Sequence, residues 1–316
     1  MTGDCSTTFT MRMPGASVRI TLRRARAAMA LAALSGDAQC IIFSQLCNVL
    51  EPRDAVDCSS ASQELRALTQ ALLQQLRADH EVAAALCLKL GMRSCKELRE
   101  AKKVCRDCKG LFVADLAMLG TLGSVLPALK MLSLWESSAG PEGVQRLMAG
   151  LGAGALPAVT LLDLCGIHVG DAGASALAAA LGRGALPQLK ILNLSKAAIG
   201  DAGLMALAPA LRRRPVLERL GLSSNPFGDE GLAALVAPPT PAGAPPPTGV
   251  LTKLKQLGLY NTQITNAGCA TLASALDSGA LPALRKIDLA GIPASAAAMA
   301  TVGRAGLLVD MEGLTV

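Results

Sequence analysis

A block of thirty residues recurs down the second half of this chain, with leucines returning at fixed places. Two well-formed copies are Leu156-Pro157-Ala158-Val159-Thr160-Leu161-Leu162-Asp163-Leu164, closing on Ile167 to Gly173, and Leu186-Pro187-Gln188-Leu189-Lys190-Ile191-Leu192-Asn193-Leu194, closing on Ile199-Gly200-Asp201-Ala202-Gly203. A period of this length marks a solenoid, in which no unit can bury its apolar face alone and only the stack is stable. The register follows the last leucine of each L-x-x-L-x-L core: Leu134, Leu164, Leu194, Leu222, Leu259 and Leu289, in steps of 30, 30, 28, 37 and 30. Nine residues further on a glycine recurs as Gly143, Gly173, Gly203, Gly231 and Gly268, and five further on stands Ala139, Val169, Ile199, Phe227, Ile264 or Ala294. The long step contains a proline-rich insertion over residues 238–250, expected to form a disordered loop outside the solenoid.

Within a copy, the alternation Leu189, Leu192, Leu194 around Lys190, Ile191 and Asn193 predicts a short strand with its leucines inward. Asp171, Asp201, Asp229 and Asn266 each precede an Ala/Leu-rich run and are expected to cap the helix they open. Leucines then recur at helical spacing, Leu177 and Leu181, Leu207 and Leu211, Leu272 and Leu276, giving one buried stripe. Stacked units of this kind build a parallel sheet on one side and a helical layer on the other, an α/β horseshoe.

From Leu126 to Arg304 the pattern resembles the ribonuclease-inhibitor class of leucine-rich repeats, which implies that right-handed α/β solenoid. The resemblance implies a protein partner, since members of the class include inhibitors, GTPase regulators, immune receptors and ubiquitin-ligase substrate receptors. Two departures stand out. The asparagine that often follows the last leucine by three residues appears only as Asn225, and Pro209 interrupts a helix, which predicts loose outer helices.

The repeats are assigned to residues 111–304, with a tail over 305–316. Ahead of them, residues 1–36 carry Arg12, Arg19, Arg23, Arg24 and Arg26 against Asp4, a charge of +4 of the chain's +6. They are expected to be a disordered leader; the Ser/Thr/Arg-rich, acid-poor composition also fits an organelle-targeting segment. Residues 37–110 show helical spacing at Ile41, Ile42, Leu46, Val49 and Leu50 and again at Leu65, Leu68, Leu72, Leu73 and Leu76. The stretch Ile42 to Arg66 resembles an F-box, in which a first helix ends in a leucine before a Pro-x-Asp turn and a second helix carries small residues. Leu50, Pro52 and Asp54 match the turn and Ala61-Ser62 the small pair, while Ala38-Gln39 replaces the usual Leu-Pro opening and Leu65 the usual tryptophan. The resemblance implies that Leu46, Leu50, Pro52, Asp54, Ala61 and Leu65, within residues 37–70, dock a ubiquitin-ligase adaptor. Read from the residues alone, the same segment is equally a plain helical cap on the first repeat.

With 51% hydrophobic but only 2% aromatic residues, the core is built from Leu, Ala and Val. Ten cysteines at irregular spacing fit reduced thiols in the cytoplasm or nucleus. Cys105 and Cys108 have the spacing of half a zinc knuckle, with Cys87 and Cys95 upstream, but no second pair follows and the only histidines are His80 and His168. No phosphate-binding loop or nucleophile constellation occurs, so neither an enzyme nor a cofactor is expected. Outside the leader the charge is nearly balanced and stacking aromatics are scarce, which argues against nucleic acid. No run approaches the length of a membrane span.

The partner is expected on the concave sheet face. One column there runs Lys130, Thr160, Lys190, Glu218, Lys255, Arg285, and the next Met131, Leu161, Ile191, Arg219, Gln256, Lys286. A third, just after the last strand leucine, holds Trp135, Cys165, Ser195, Ser223, Tyr260 and Ala290, the chain's one Trp and one Tyr among them. Asp163 faces the same side. An apolar patch at Trp135, Met131, Leu161 and Ile191 and a basic opposite end at Lys255, Arg285 and Lys286 are predicted.

Overall fold

The structure, a computed structural model, describes residues 7–13, 16–22, 43, 47–60, 63–105, 110–135, 138–236, 251–303 and 306–311. The chain divides into two compact units, Met1–Ala85 and Leu86–Val316. The first holds an antiparallel pair of strands, β1 (Thr7–Met13) and β2 (Ala16–Leu22), in continuous register from Thr7↔Leu22 to Met13↔Ala16. A disordered leader was expected over this stretch. A local β preference in Thr7, Thr8, Phe9 and Thr10 and in Val18, Ile20 and Thr21 overrides what the acid-poor composition suggests. Helix α1 (Arg53–Ser59) follows, then α2 (Gln63–Lys89). Phe43, Ala55 and Leu76 form the buried centre of the first unit, with Cys47, Val49 and Leu73 packed against them. The Thr69 hydroxyl donates to the Ser59 hydroxyl at 2.7 Å, a buried tie between α1 and α2.

The second unit is an α/β solenoid. After α3 (Cys95–Glu100) come β3 (Lys103–Cys105), α4 (Val113–Thr121), β4 (Met131–Ser133), α5 (Gly140–Gly150), β5 (Leu161–Asp163) and α6 (Gly170–Gly182). Then follow β6 (Ile191–Asn193), α7 (Asp201–Arg212), β7 (Arg219–Gly221), α8 (Asp229–Val236), β8 (Gln256–Gly258), α9 (Asn266–Asp277), β9 (Lys286–Asp288), α10 (Ala296–Thr301) and β10 (Leu308–Asp310). The eight strands β3 to β10 lie side by side in chain order, and every pairing is parallel. The middle residue of each central strand, Leu132, Leu162, Leu192, Leu220, Leu257 or Ile287, is buried toward the helices. The helical stripe is buried too, at Leu177, Leu181, Leu207, Leu211, Leu272 and Leu276.

The ladder is longer than the repeat register foretold. Strand β3 lies in the segment assigned to the cap, and β10 in the segment assigned to the tail. At β3 the three leucine places hold Ala101, Val104 and Arg106, so the pattern is all but erased there. The insertion over 238–250 lies outside the described residues, yet Arg219↔Gln256 and Gly221↔Gly258 pair without a break across it. Pro209 stands inside α7 with the helix continuous around it, so a loose outer helix is not found; Pro209 is exposed.

The recurring aspartates do not cap their own helices. Asp171 Oδ1 accepts from the Gly200 amide of the next copy at 2.7 Å. Asp201 Oδ1 accepts from Gly228 at 2.9 Å and Gly231 at 2.7 Å, and Asp229 Oδ1 from Thr265 at 2.8 Å. Asn266 continues the series, accepting from the Ser295 amide at 2.8 Å. Each of these side chains belongs to the first turn of its own helix and reaches sideways, where the amides opening the next helix lack partners. A Cβ on Gly231 would stand 2.8 Å from Asp201 Oδ1, and one on Gly203 or Gly268 would collide with the carboxylate of Asp171 or Asp229. The recurring glycine and the aspartate one copy earlier are thus a single device. Asn225, buried, adds a second tie. Its Nδ2 donates to the Leu194 and Leu222 carbonyls, both at 2.8 Å, and its Oδ1 accepts from Ala197 at 3.1 Å and Ile199 at 3.0 Å. At the other helix ends, Arg183 donates to the Met148 carbonyl at 2.7 Å, and Arg214 to the Leu181 carbonyl in the last turn of α6 and to the Ala185 carbonyl just past it at 2.9 Å.

Candidate partner-binding face

The strand pairing lays the open face of the sheet out in rows. One row runs Lys103, Met131, Leu161, Ile191, Arg219, Gln256, Lys286, Leu308. The row before it is joined by backbone bonds, each amide donating to the carbonyl one copy earlier: Lys130 to Lys102, Thr160 to Lys130, Lys190 to Thr160, Glu218 to Lys190, Lys255 to Glu218 and Arg285 to Lys255, at 2.7–2.9 Å. Met131, Leu161 and Ile191 are half-buried, so their outer faces meet solvent side by side. Trp135 and Tyr260 stand out at 38% and 39% exposure, far more than a core aromatic would show. The Tyr260 ring leans toward the next copy, where a Cβ on Gly291 would lie 3.4 Å from Cε2.

Charge is spread differently from expectation. The end carrying Lys255, Arg285 and Lys286 is not a bare basic surface. Lys255 Nζ is 2.7 Å from Glu218 Oε2, Lys190 Nζ is 3.8 Å from Glu218 Oε1, and Lys286 Nζ is 3.9 Å from Asp310. The Lys255 hydrogen bond, then its charge and those of Lys190 and Arg219, hold the Glu218 carboxyl below its ordinary range. Asp310 stands on β10, past the last copy that the leucine register marks. The residues missed at the other end are Lys102 and Lys103, both exposed, which β3 brings beside Lys130 and Met131.

Asp163 is held to its own chain. Its Oδ1 accepts from the Cys165 amide at 3.1 Å and its Oδ2 from the Ser133 hydroxyl at 3.2 Å. Asn193 and Asp288 make the same bond to the amides of Ser195 and Ala290, so this position shapes the strand exit. Burial first, and the Asp310 charge with it, pushes the Asp288 carboxyl upward.

Of the residues assigned to adaptor docking, Leu46 and Ala61 lie outside the described residues, as does the side chain of Leu65. Leu50 is buried at 4% exposure, its amide donating to Asn48 Oδ1 at 3.0 Å. Pro52 is half-buried and Asp54 exposed in the first turn of α1. The Pro-x-Asp turn therefore does open a helix, which runs from Arg53 to Ser59. Leu50 as placed serves the core of its unit.

Cys87 and Cys95 are both buried with sulfurs 3.8 Å apart, and burial, with Cys95 beside it, pushes the Cys87 thiol up to about 12. Thiols in that state are packing groups. Cys108 and the side chain of Cys105 lie outside the described residues. Among the described residues no group of His, Cys, Asp and Glu could hold a metal ion, and no helix is long and apolar enough to cross a membrane.

The family model for a leucine-rich repeat matches residues 186–208 and 215–236. The ribonuclease inhibitor of Sus scrofa is 36% identical over 104 residues, which is 33% of this chain and 19% of that protein, so the chain spans about a fifth of the relative's length. Among solved structures, internalin C2 from Listeria monocytogenes gives a TM-score of 0.42 at 18% identity, covering 73% of this chain and 92% of that one. The actin-binding site 2 region of leiomodin-1 gives a TM-score of 0.35 at 15% identity, covering 60% and 83%. The matched copies are those whose Asp201, Asn225 and Gly231 tie the stack together, and with the eight-stranded parallel ladder they show leucine-rich repeats stacked as an α/β solenoid.

Proposed function

We propose that this chain is a protein-binding receptor whose open sheet face takes the partner. The observation that carries this reading is Trp135, 38% exposed, in the same short stretch of face as the half-buried Met131, Leu161 and Ile191. An aromatic and three aliphatics left partly in water form an apolar surface suited to anchoring a partner, and such anchors supply most of the affinity at protein interfaces. Lys130, Lys190, Arg219, Lys255, Tyr260, Arg285 and Lys286 surround it or continue the face. Binding to this face calls for no cofactor. The reading goes with a reducing compartment, cytoplasm or nucleus.

In its finer form the receptor is the substrate-recognition subunit of a cullin-type ubiquitin ligase, with residues 37–70 docking the adaptor. The turn from Asn48 to Pro52, which leads straight into α1 with Asp54 exposed, favours it. The alternative is a regulator or inhibitor whose first helices bind nothing; the matched pig protein is, by its name, an inhibitor. Purified adaptor titrated against the full chain separates the two. Because Leu50 is buried, Leu50→Asp would unfold the unit, so the informative variant is Asp54→Lys with Pro52→Ala. Loss of about tenfold or more in adaptor affinity fits docking; no binding by the unaltered chain leaves the regulator. Trp135→Ala should leave adaptor binding untouched and weaken the partner on the sheet face.

A further inference from the structure

We infer that the β3–β4 end of the open face receives an acidic segment of a partner protein that carries an apolar side chain, with Lys102, Lys103 and Lys130 pairing its carboxylates and Met131 and Trp135 taking its apolar residue. This rests on the sheet face being the binding face and says where on it, and to what chemistry, binding occurs.

Among the described residues, charge is left unpaired at one end of the face and paired at the other. From β7 onward the two rows and the strand exits carry Arg219, Lys255, Arg285 and Lys286 against Glu218, Asp288 and Asp310, four cations to three anions. Glu218 lies within 4 Å of two lysines there, and Lys286 faces Asp310. At β3 and β4 the same positions carry Lys102, Lys103 and Lys130 and no acid, and none of the three lysines has an ion pair among the described residues. Adjacent parallel strands run about 4.8 Å apart, so Lys102 and Lys130 stem from neighbouring positions and Lys103 from beside Met131. Three like charges so close repel one another, and an incoming carboxylate relieves that repulsion as well as pairing. Exposed lysines on an edge strand also discourage sheets from joining edge to edge, which accounts for Lys102 and Lys103 on β3. It does not account for Lys130 one strand in, or for an exposed tryptophan just past the exit of β4.

The chain's own leader is a poor occupant, because residues 1–36 carry +4 and would be repelled. Nucleic acid would meet the lysines, but beyond them it would meet Met131, Leu161 and Ile191, which offer no hydrogen bond to a phosphate or sugar. An acidic protein segment with one apolar residue satisfies both halves of the surface.

The test uses the full chain and a fluorescent synthetic peptide of glutamates flanking a central leucine. Controls are the same peptide with serine for leucine, with lysines for glutamates, and a single-stranded oligothymidylate. The acidic apolar peptide should bind best, weaken with salt, and lose about tenfold or more in affinity on combining Lys102→Glu, Lys103→Glu and Lys130→Glu, against less than about threefold for Lys255→Glu with Lys286→Glu. These lysines are exposed, and circular dichroism checks that the variants fold. Equal loss from both variants would keep the sheet face as the binding face and overturn its placement at β3–β4. Binding untouched by either variant and by Trp135→Ala would overturn the sheet-face reading itself. Failure of the peptide to bind, or tighter binding of the oligothymidylate, would overturn the acidic-segment assignment.

Discussion

In the turns that open the helices, Asp171, Asp201 and Asp229 are bonded to backbone amides of the next copy, whereas on the open sheet face Lys102, Lys103, Lys130, Arg219 and Arg285 make no ion pair among the described residues. The two regions belong to the same repeats and use charge for opposite ends. In the turns a charge is spent on backbone groups that would otherwise lack partners, so it must recur at a fixed place. On the face no backbone group depends on the charge, so it varies from strand to strand. Recurrence therefore marks architecture here, and irregularity marks the surface open to a partner.

The comparison breaks most visibly at Asn225. Asn225→Ala strands two buried amides and two carbonyls, each costing about 1–3 kcal/mol when left unpaired, so a loss of roughly 3 kcal/mol or more is expected in urea denaturation. A loss below about 1 kcal/mol would mean that water replaces the side chain and that the tie is not structural. The Asp–Gly device comes next. Asp201→Ala and Gly231→Ala should each cost about 1–3 kcal/mol, and the double variant less than their sum, because the carboxylate that an alanine at 231 would strike is gone. Strict additivity would show that the two positions act separately.

Alkaline pH sharpens the contrast between buried and exposed groups. Cys87 titrates near 9.0 in an unfolded chain but is pushed up to about 12 in the fold, so between those values the folded state holds a proton the unfolded state has lost. Stability must then fall as pH rises through that window, and Cys87→Ala should flatten the fall. Denaturation midpoints with and without the substitution, followed from neutral pH upward, read this directly. The smallest effects belong to the open face. Trp135→Ala and Lys255→Ala should each change stability by no more than about 0.5–1 kcal/mol, the first because its ring is far from fully buried and the second because an exposed ion pair contributes little. A large loss from Trp135→Ala would make that ring a core residue and remove the anchor from the partner-binding face.

Much of this was legible in the linear pattern. The leucine register, the buried helical stripe and the rows of the sheet face follow from a period that every copy must obey, because each copy packs on its neighbour in the same way. The first and last strands were not legible. At β3 a terminal copy has a neighbour on one side only, the demand for leucine relaxes, and Ala101, Val104 and Arg106 stand where leucines would. The pairing of Thr7–Met13 with Ala16–Leu22 is invisible to composition, because strand pairing follows local β preference and not acid content. The donor to each aspartate was not legible for another reason: a capping pattern names an amide close in sequence, and the amides that actually donate lie 27 to 36 residues away.

The sequence by itself determined that this chain stacks leucine-rich units into a solenoid and which side chains line its open face, since periodicity of apolar residues dictates which side of each strand is dry. Only the tertiary structure decided which of those charges are already spent. Whether Lys255 is free or held by Glu218, and whether Lys102 and Lys103 stand beside Lys130, depends on strand pairings between residues about thirty positions apart, and no local pattern records distance across a sheet.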